Sequence, residues 1–244
     1  MTWVIPQADR GGWAEGDLDY VPWGRERGIM GQMKAKSAMM LILILLGLLP
    51  IASPATSAPV RPFIVVIDPG HGGRDTGGVG WLGVQEKDIV LAIARLVELE
   101  ALGEPELKIV LTRRADVYIP LEERTALANR LGAALYVSIH TNIHSDWRVK
   151  GIETILPDTW KGKNWKSSLL AQALQRTMVA RLGSPDRGVK YQRLYLRWAE
   201  VPAALVEVGF LSNPEEALKL QSFAYQDRIA RAILEGIKDF LGLR

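Results

Sequence analysis

The sequence predicts an α/β fold: a single domain with a mostly parallel central sheet and helices on both faces. Short apolar runs rich in β-branched residues, typical of buried strands, alternate with segments whose apolar residues recur at a helical period. This alternation extends over residues 60–244 without an internal repeat, a low-complexity tract or a Pro/Ser-rich linker. About 185 residues are enough for one domain with a substantial core.

The predicted strands and helices follow one another in a regular order. The candidate strands are Phe63–Asp68, Lys108–Thr112, Leu135–His140, Gly151–Leu156 and Ala203–Val208. Helical patterns cover Lys87–Leu102, Leu121–Leu131, Ser167–Leu182 and Tyr225–Leu241. A short helix is predicted to begin at Asn213, a capping residue that is followed by a proline and two acids.

The segment before the predicted domain has the pattern of a signal peptide. Two lysines precede an uncharged apolar run of 14 residues, Ala38 to Ile51, and small residues follow it. The run is shorter than the roughly 20 residues that span a bilayer as a helix. We therefore predict a signal peptide over residues 30–58, cleaved after Ala55 or Ala58, with an uncleaved membrane anchor as the alternative.

A signal peptide normally begins at the N-terminus, but here about 30 residues precede it. We therefore interpret residues 1–29 as a mis-called or disordered N-terminal extension, with translation starting at Met30 or Met33. Residues 60–244 then form the folded domain. After signal cleavage we expect no stable membrane partner.

Composition excludes several classes of site. The chain has no cysteine, so disulfides and zinc–thiolate sites are excluded, and any metal must use histidine, carboxylate or water. The formal net charge is +3, which is too mild to indicate a nucleic-acid partner.

Four ionisable residues stand where a ligand would bind. His71 follows the first predicted strand in a Pro-Gly-His-Gly-Gly turn, and His140 ends the third. Ligands bind at the carboxyl ends of strands in open α/β sheets, so these two histidines suggest a metal site. Glu86 begins a helix after a glycine-rich loop, and Glu207 lies in an apolar strand, where a carboxylate is costly unless paired, metal-bound or functional. Two histidines and a glutamate form a ligand set known for catalytic zinc.

At this point the sequence resembles the zinc-dependent N-acetylmuramoyl-L-alanine amidases of bacterial cell walls, the Amidase_3 type. Six motifs occur in family order and span about residues 62–242. They are Ile67–Gly73, Glu86-Lys87, Leu121–Arg124 with Ala128-Asn129, Ser138–Asn142, Gly151–Thr154 and Pro202–Asn213.

The resemblance implies that residues 60–244 are a zinc amidase catalytic domain, with a site and an activity. His71, Glu86 and His140 would bind Zn²⁺, and Glu207 would be the catalytic carboxylate, acting first as base and then as acid. The implied substrate is the peptidoglycan amide that joins N-acetylmuramic acid to the L-alanine of the stem peptide. The resemblance also implies six strands, one more than the pattern reveals, an exported protein of the periplasm or cell envelope, and an unidentified activator protein.

The chain departs from the family pattern after His140. Thr141 replaces a residue that is often small, and His144 follows in a loop, where it is either an extra ligand or substrate contact or a surface histidine without a role. Some family members carry a helical plug after the second histidine. Here the segment 153–187 reads as one strand, one loop and one helix, so we predict no plug, and we see no separate wall-binding module.

Several other residues allow two interpretations. Asp68 either holds a turn or orients a ligand, or it acts directly in catalysis. Glu153 is either a partner of the ligands or an exposed strand residue, and Asn142 is a candidate for orienting substrate. Trp160 and Trp165, near three lysines, either bind sugar and carboxylate or anchor a loop.

The helix residues Arg124 and Asn129 are interpreted as structural. Two rival functions remain open: a zinc peptidase that acts within the stem peptide, and a non-catalytic wall-binding pseudoenzyme. The complete set of four ionisable residues argues against the second rival.

Overall fold

The structure is a computed structural model that describes residues 61–243. The predicted N-terminal extension and signal peptide, residues 1–29 and 30–58, lie outside this range. No helix within residues 61–243 combines the length and the apolar character that crossing a bilayer requires.

The core is a six-stranded sheet with the strand order β2-β1-β3-β6-β4-β5. Four strands run parallel to one another, and β4 and β5 run in the opposite direction, since β4 pairs antiparallel with β6 and parallel with β5. The strands are β1 (Phe63–Pro69), β2 (Leu107–Leu111), β3 (Leu135–Asn142), β4 (Ile152–Pro157), β5 (Asp186–Gln192) and β6 (Ala203–Phe210).

Five helices cover the sheet unequally. They are α1 (Glu86–Glu100), α2 (Leu121–Leu131), α3 (Trp165–Leu182), α4 (Pro214–Gln221) and α5 (Phe223–Leu241). Four of them contribute to one large apolar core on the first face of the sheet, whereas α2 and a short 3₁₀ turn at residues 195–198 cover the second face. The predicted fold class, with helices on both faces, is confirmed.

The predicted elements are confirmed with small changes in their bounds, but β5 was missed. The pattern of the segment 153–187 predicts a strand, a loop and a helix. In the structure a further strand begins at Asp186, and it is the sixth strand that the family resemblance implies. This strand lies at the edge of the sheet, and no residue in it is fully buried. An edge strand with little burial lacks the apolar run that marks the central strands.

The parallel part of the sheet sets the position of the candidate site. The strands β1, β3 and β6 are neighbours, and in register His140 lies opposite Glu207. The register shifts between His140 and Asn142, where the ladder ends. The residues that follow the three strands therefore meet at one edge of the sheet.

Candidate metal centre

His71 lies in a strained turn that two arginines hold in place. Its φ of +60° is in the left-handed region, which non-glycine residues seldom adopt. Arg113 donates to the carbonyls of Pro69 and Gly70, and Arg124 donates to those of Pro69 and His71, at 2.6–3.0 Å. The guanidinium groups thus satisfy the carbonyl oxygens that this turn removes from the sheet.

Glu86 connects the two histidines. At the N-terminus of α1, one of its carboxylate oxygens lies 3.1 Å from His71 Nε2 and the other 2.8 Å from His140 Nδ1. The backbone amides of Gly78 and Thr141 donate to the same two oxygens at 2.8 and 3.0 Å. One potential ligand atom from each of the three side chains lies within 4.8 Å of the others, so the group could hold a metal ion.

The glycines of the motif are required by close contacts. A Cβ on Gly70 would lie 2.3 Å from the His140 ring, and one on Gly77 would lie 2.6 Å from both Glu86 and His71. Any larger residue at these positions would push the three side chains apart.

Glu207 stands beside the three-residue group. It is opposite His140 in the β3–β6 ladder. Glu207 Oε2 and His140 Nε2 are both buried without a hydrogen-bond partner within residues 61–243. Buried polar atoms are rarely left unpaired, so these two atoms favour a bound ion or water at this point.

The charges of the cluster shift its pKa values in opposite directions. Burial opposes ionisation of Glu86, but hydrogen bonds and charge from His140 and His71 outweigh burial and hold the pKa of Glu86 far below its usual value. Burial lowers the pKa of His71, but Glu86 and Asp75 raise it by more. A histidine binds a metal ion in its neutral form. A bound ion would therefore displace the extra proton of a charged His71 ring. Burial, together with the charges of Glu86 and Glu153, raises the pKa of Glu207 well above its usual value.

Asp75 is a site residue that the sequence reasoning missed. One of its carboxylate oxygens lies 2.9 Å from His71 Nδ1 and accepts a hydrogen bond from the amide of Gly77 at 3.1 Å. This contact turns the Nε2 side of the ring towards Glu86. The available signal was an acid four residues after a histidine in a glycine-rich loop.

Asp68 lies beneath the centre and does not reach it. Its buried carboxylate accepts hydrogen bonds from five side chains at 2.5–2.9 Å. They are Thr112, Arg124, Tyr136, Ser138 and Tyr195. Burial would raise the pKa of Asp68, but the Arg124 charge and the hydroxyl donors outweigh it and lower that pKa. Of the two interpretations, the geometry supports a structural role, since Asp68 fixes the arginine that holds His71.

Glu153 is a buried partner residue and not an exposed strand position. It lies opposite Glu207 in the β4–β6 ladder, and it accepts hydrogen bonds from Asn142 and Arg187 at 2.8 Å and from Lys190. Asn142 is therefore engaged with Glu153 and with the amide of Ile143, and its side chain has little left to offer a substrate.

His144 and Asn129 both lie outside the three-residue group. His144 is exposed, accepts a hydrogen bond from the amide of Asp146 and does not belong to the three-residue group, which favours the surface interpretation. Asn129 bridges α2 to the backbone of Trp198 and Glu200, as a structural residue would.

Trp160 and Trp165 do not line the centre. Trp160 packs against the apolar core, which agrees with a loop anchor. Trp165 lines a groove with Phe63, Ala134 and Pro202, at the strand ends opposite to the histidines. The seven residues of β1 place these two ends about 20 Å apart. Any sugar or carboxylate bound by Trp165 would therefore lie far from the centre.

The described segment between Asn142 and Arg187 contains a single α-helix, α3. Because α3 packs on β4, β6 and α5, it belongs to the core. This agrees with the predicted absence of a plug.

Comparison with known proteins identifies the relatives of the chain. Residues 65–239 match the Amidase_3 family, described as N-acetylmuramoyl-L-alanine amidase. The uncharacterized protein YqiI of Bacillus subtilis is 39% identical over 201 residues, which cover 81% of this chain and 95% of YqiI. N-acetylmuramoyl-L-alanine amidase LytC of the same organism is 37% identical over 73% of this chain, which spans 35% of LytC.

Solved structures show the same fold. The catalytic domain of CwlV, an N-acetylmuramoyl-L-alanine amidase from Bacillus (Paenibacillus) polymyxa var. colistinus, aligns with a TM-score of 0.70 and 35% identity, covering 75% of this chain and 99% of that domain. The CwlD amidase from Clostridioides difficile, solved in complex with the GerS lipoprotein, aligns with a TM-score of 0.68 and 28% identity, covering 74% of this chain and 98% of CwlD.

The hydrogen bonds to Asp68 lead to a prediction on stability. Tyr136→Phe removes one donor to a buried carboxylate, so we expect the free energy of unfolding to fall by roughly 1.5–3 kcal/mol. Denaturant unfolding of the purified protein measures it. Tyr191→Phe is the matched control, because this half-buried tyrosine on β5 makes no hydroxyl hydrogen bond within residues 61–243. Equal stabilities of the two variants would contradict the role given to Asp68.

Proposed function

The chain belongs to the Amidase_3 family of N-acetylmuramoyl-L-alanine amidases, and from this premise we propose that it is a zinc-dependent peptidoglycan amidase. The bond cleaved is the amide between the lactyl group of N-acetylmuramic acid and the L-alanine of the stem peptide. One observation carries the proposal: His71, Glu86 and His140 converge within ligand distance of one another, next to the unpaired carboxylate oxygen of Glu207.

The residues present fit a catalytic zinc site. Two histidines and one glutamate provide three protein ligands, the usual number when a fourth position stays open for water or substrate. The glycines at positions 70 and 77 leave space where a Cβ would collide with the ligands. Asp75 accepts the other ring proton of His71, as metal-binding histidines usually require. When bound, zinc lowers the pKa of a water molecule to about 7 and polarises a carbonyl oxygen.

Glu207 provides proton transfer. Its carboxylate would take the proton of the attacking water and deliver it to the alanine nitrogen as the C–N bond breaks. A raised pKa suits the second half of this cycle, in which Glu207 is an acid. The positive charge of a bound cation would lower that pKa and make Glu207 available as a base. Burial would raise the pKa of Glu153, but hydrogen bonds and charge from Lys190 and Arg187 outweigh it and lower that pKa, so Glu153 is a weaker proton acceptor than Glu207.

Removal of Glu207 separates the chemistry from metal binding. We expect Glu207→Gln to retain zinc, measured by elemental analysis, while the rate falls by roughly 10²–10⁴. His140→Ala should lose zinc and activity together, as should treatment of the unchanged protein with a chelator. Mass spectrometry of digested peptidoglycan would follow released stem peptides and new alanine amino termini. Glu200→Gln, at an exposed glutamate, is the control and should behave like the unchanged protein.

The same digest distinguishes the rival functions. Cleavage inside the stem peptide would indicate a zinc peptidase. Binding to peptidoglycan without zinc-dependent release would indicate a pseudoenzyme. Release that survives chelation or the Glu207→Gln change would contradict the proposed mechanism.

We further propose that the protein acts in the cell envelope, where its substrate lies, and that residues 30–58 direct its export. A prediction follows for the mature chain: intact mass and N-terminal sequencing of the native protein should place the first residue at Thr56 or Pro59. Peptides from residues 1–29 in the native precursor would contradict a start at Met30 or Met33. An unprocessed chain in the membrane fraction would favour the anchor.

A further inference from the structure

Arg187 contacts Glu153 beside the catalytic edge and keeps donors that no described residue uses. Its Nε donates to Glu153 at 2.8 Å, and its side chain is 31% exposed. The two terminal guanidinium nitrogens make no hydrogen bond to any residue of the described range. Two parallel N–H donors of this kind match the geometry of a carboxylate.

Two contacts hold the Arg187 side chain in place, and Glu216 supports the residues that make them. It stacks over the ring of Phe210, with 5.0 Å between the central carbon and the ring centroid. Its aliphatic carbons pass so close to Gly151 that a Cβ there would lie 3.0 Å from them. The buried carboxylate of Glu216 accepts hydrogen bonds from the backbone amides of Gly151 and Phe210 at 3.0 and 2.7 Å. A pre-positioned arginine loses little side-chain entropy when it binds an anion.

The local charge favours an anion. Arg187 and Lys190 both contact Glu153, so two positive charges meet one negative charge. Lys190 is 36% exposed and can donate further hydrogen bonds. This surface therefore keeps a net positive charge beside a centre whose other ionisable residues are largely acidic.

The distance from the reacting bond corresponds to a short peptide. Glu153 and Glu207 are directly opposite in neighbouring strands, so their Cβ atoms lie about 5 Å apart. Arg187 contacts the far side of Glu153. An extended peptide advances about 3.5 Å per residue, so a group two residues beyond the scissile bond reaches this arginine.

We propose that Arg187, assisted by Lys190, binds a free carboxylate on the second residue of the stem peptide. The proposal rests on the proposed function for the identity of the substrate. The second residue of stem peptides carries either a carboxylate or the corresponding amide. Because an arginine fork pairs far better with a carboxylate than with an amide, this site would make the enzyme prefer the acid form.

The competing explanation is that Arg187 only neutralises Glu153. Loss of the arginine would then alter Glu207 and slow the reaction on every substrate equally. The ratio of kcat/KM for the acid form to that for the amide form distinguishes the two explanations, because a general loss of activity cancels in it.

The test uses N-acetylmuramyl-L-alanyl-D-glutamate γ-methylamide and its D-isoglutamine counterpart, in which the γ-methylamide stands for the bond to the third residue, so that the α-group alone differs between acid and amide. We expect the unchanged protein to favour the acid form about 10-fold, mainly through KM, a preference worth about 1.4 kcal/mol. Arg187→Gln should bring the ratio to about 1, and Arg187→Lys should keep part of it. Arg176→Gln, which removes an exposed arginine paired with Asp239, is the control and should leave the ratio unchanged.

A binding measurement separates failure of this inference from failure of the proposed function. Calorimetric titration with the product dipeptides, L-alanyl-D-glutamate and L-alanyl-D-isoglutamine, each blocked as the γ-methylamide, requires no turnover. Tighter binding of the acid dipeptide that depends on Arg187 would support the site even if neither muramyl substrate is hydrolysed. Equal affinity for the two dipeptides would overturn the inference, whether or not the amide is cleaved.

Discussion

The buried ion pair between Asp68 and Arg124 is the interaction on which the rest of the centre depends. Arg124 Nη1 and Asp68 Oδ1 lie 2.9 Å apart, and both side chains are almost fully buried. The same guanidinium group donates a hydrogen bond to the carbonyl oxygen of His71. A buried charge is tolerated only when paired and hydrogen-bonded, and here five donors surround the carboxylate. Removal of either partner would leave an uncompensated charge under the turn that positions His71. The strained backbone of His71 persists because these contacts hold it in that conformation.

The other parts of the centre follow from strand order. Since β1, β3 and β6 are adjacent and parallel, His71, His140 and Glu207 meet at one edge without any motif that joins them in sequence. Glu86 completes the group from the N-terminus of α1, where the helix dipole favours a carboxylate. Acidic side chains dominate this edge, and a divalent cation among them is the charge that would balance it.

The sequence predicted the central features because they are carried by strong local patterns. Buried strands read as apolar runs, and a histidine after such a run marks a site. What it could not predict depends on tertiary contacts. The spacing of Asp75 from His71 is a weak signal by itself, and the role of Asp75 depends on the contact of its carboxylate with the His71 ring. No residue of the edge strand β5 is fully buried, so neither the strand nor Arg187 within it has a clear pattern in the sequence. The position of Trp165 also depends on the fold, which carries it to the strand ends opposite to the histidines.

We propose that His71, Glu86 and His140 hold zinc and that Glu207 is left free to move protons. Anomalous diffraction recorded on both sides of the zinc absorption edge, from crystals of the zinc-loaded protein, tests this most directly. We expect one peak within about 2.0–2.2 Å of a nitrogen of each histidine and an oxygen of Glu86, with Glu207 outside the ligand distance. A peak elsewhere, or one that includes Glu207 in place of Glu86, would contradict it.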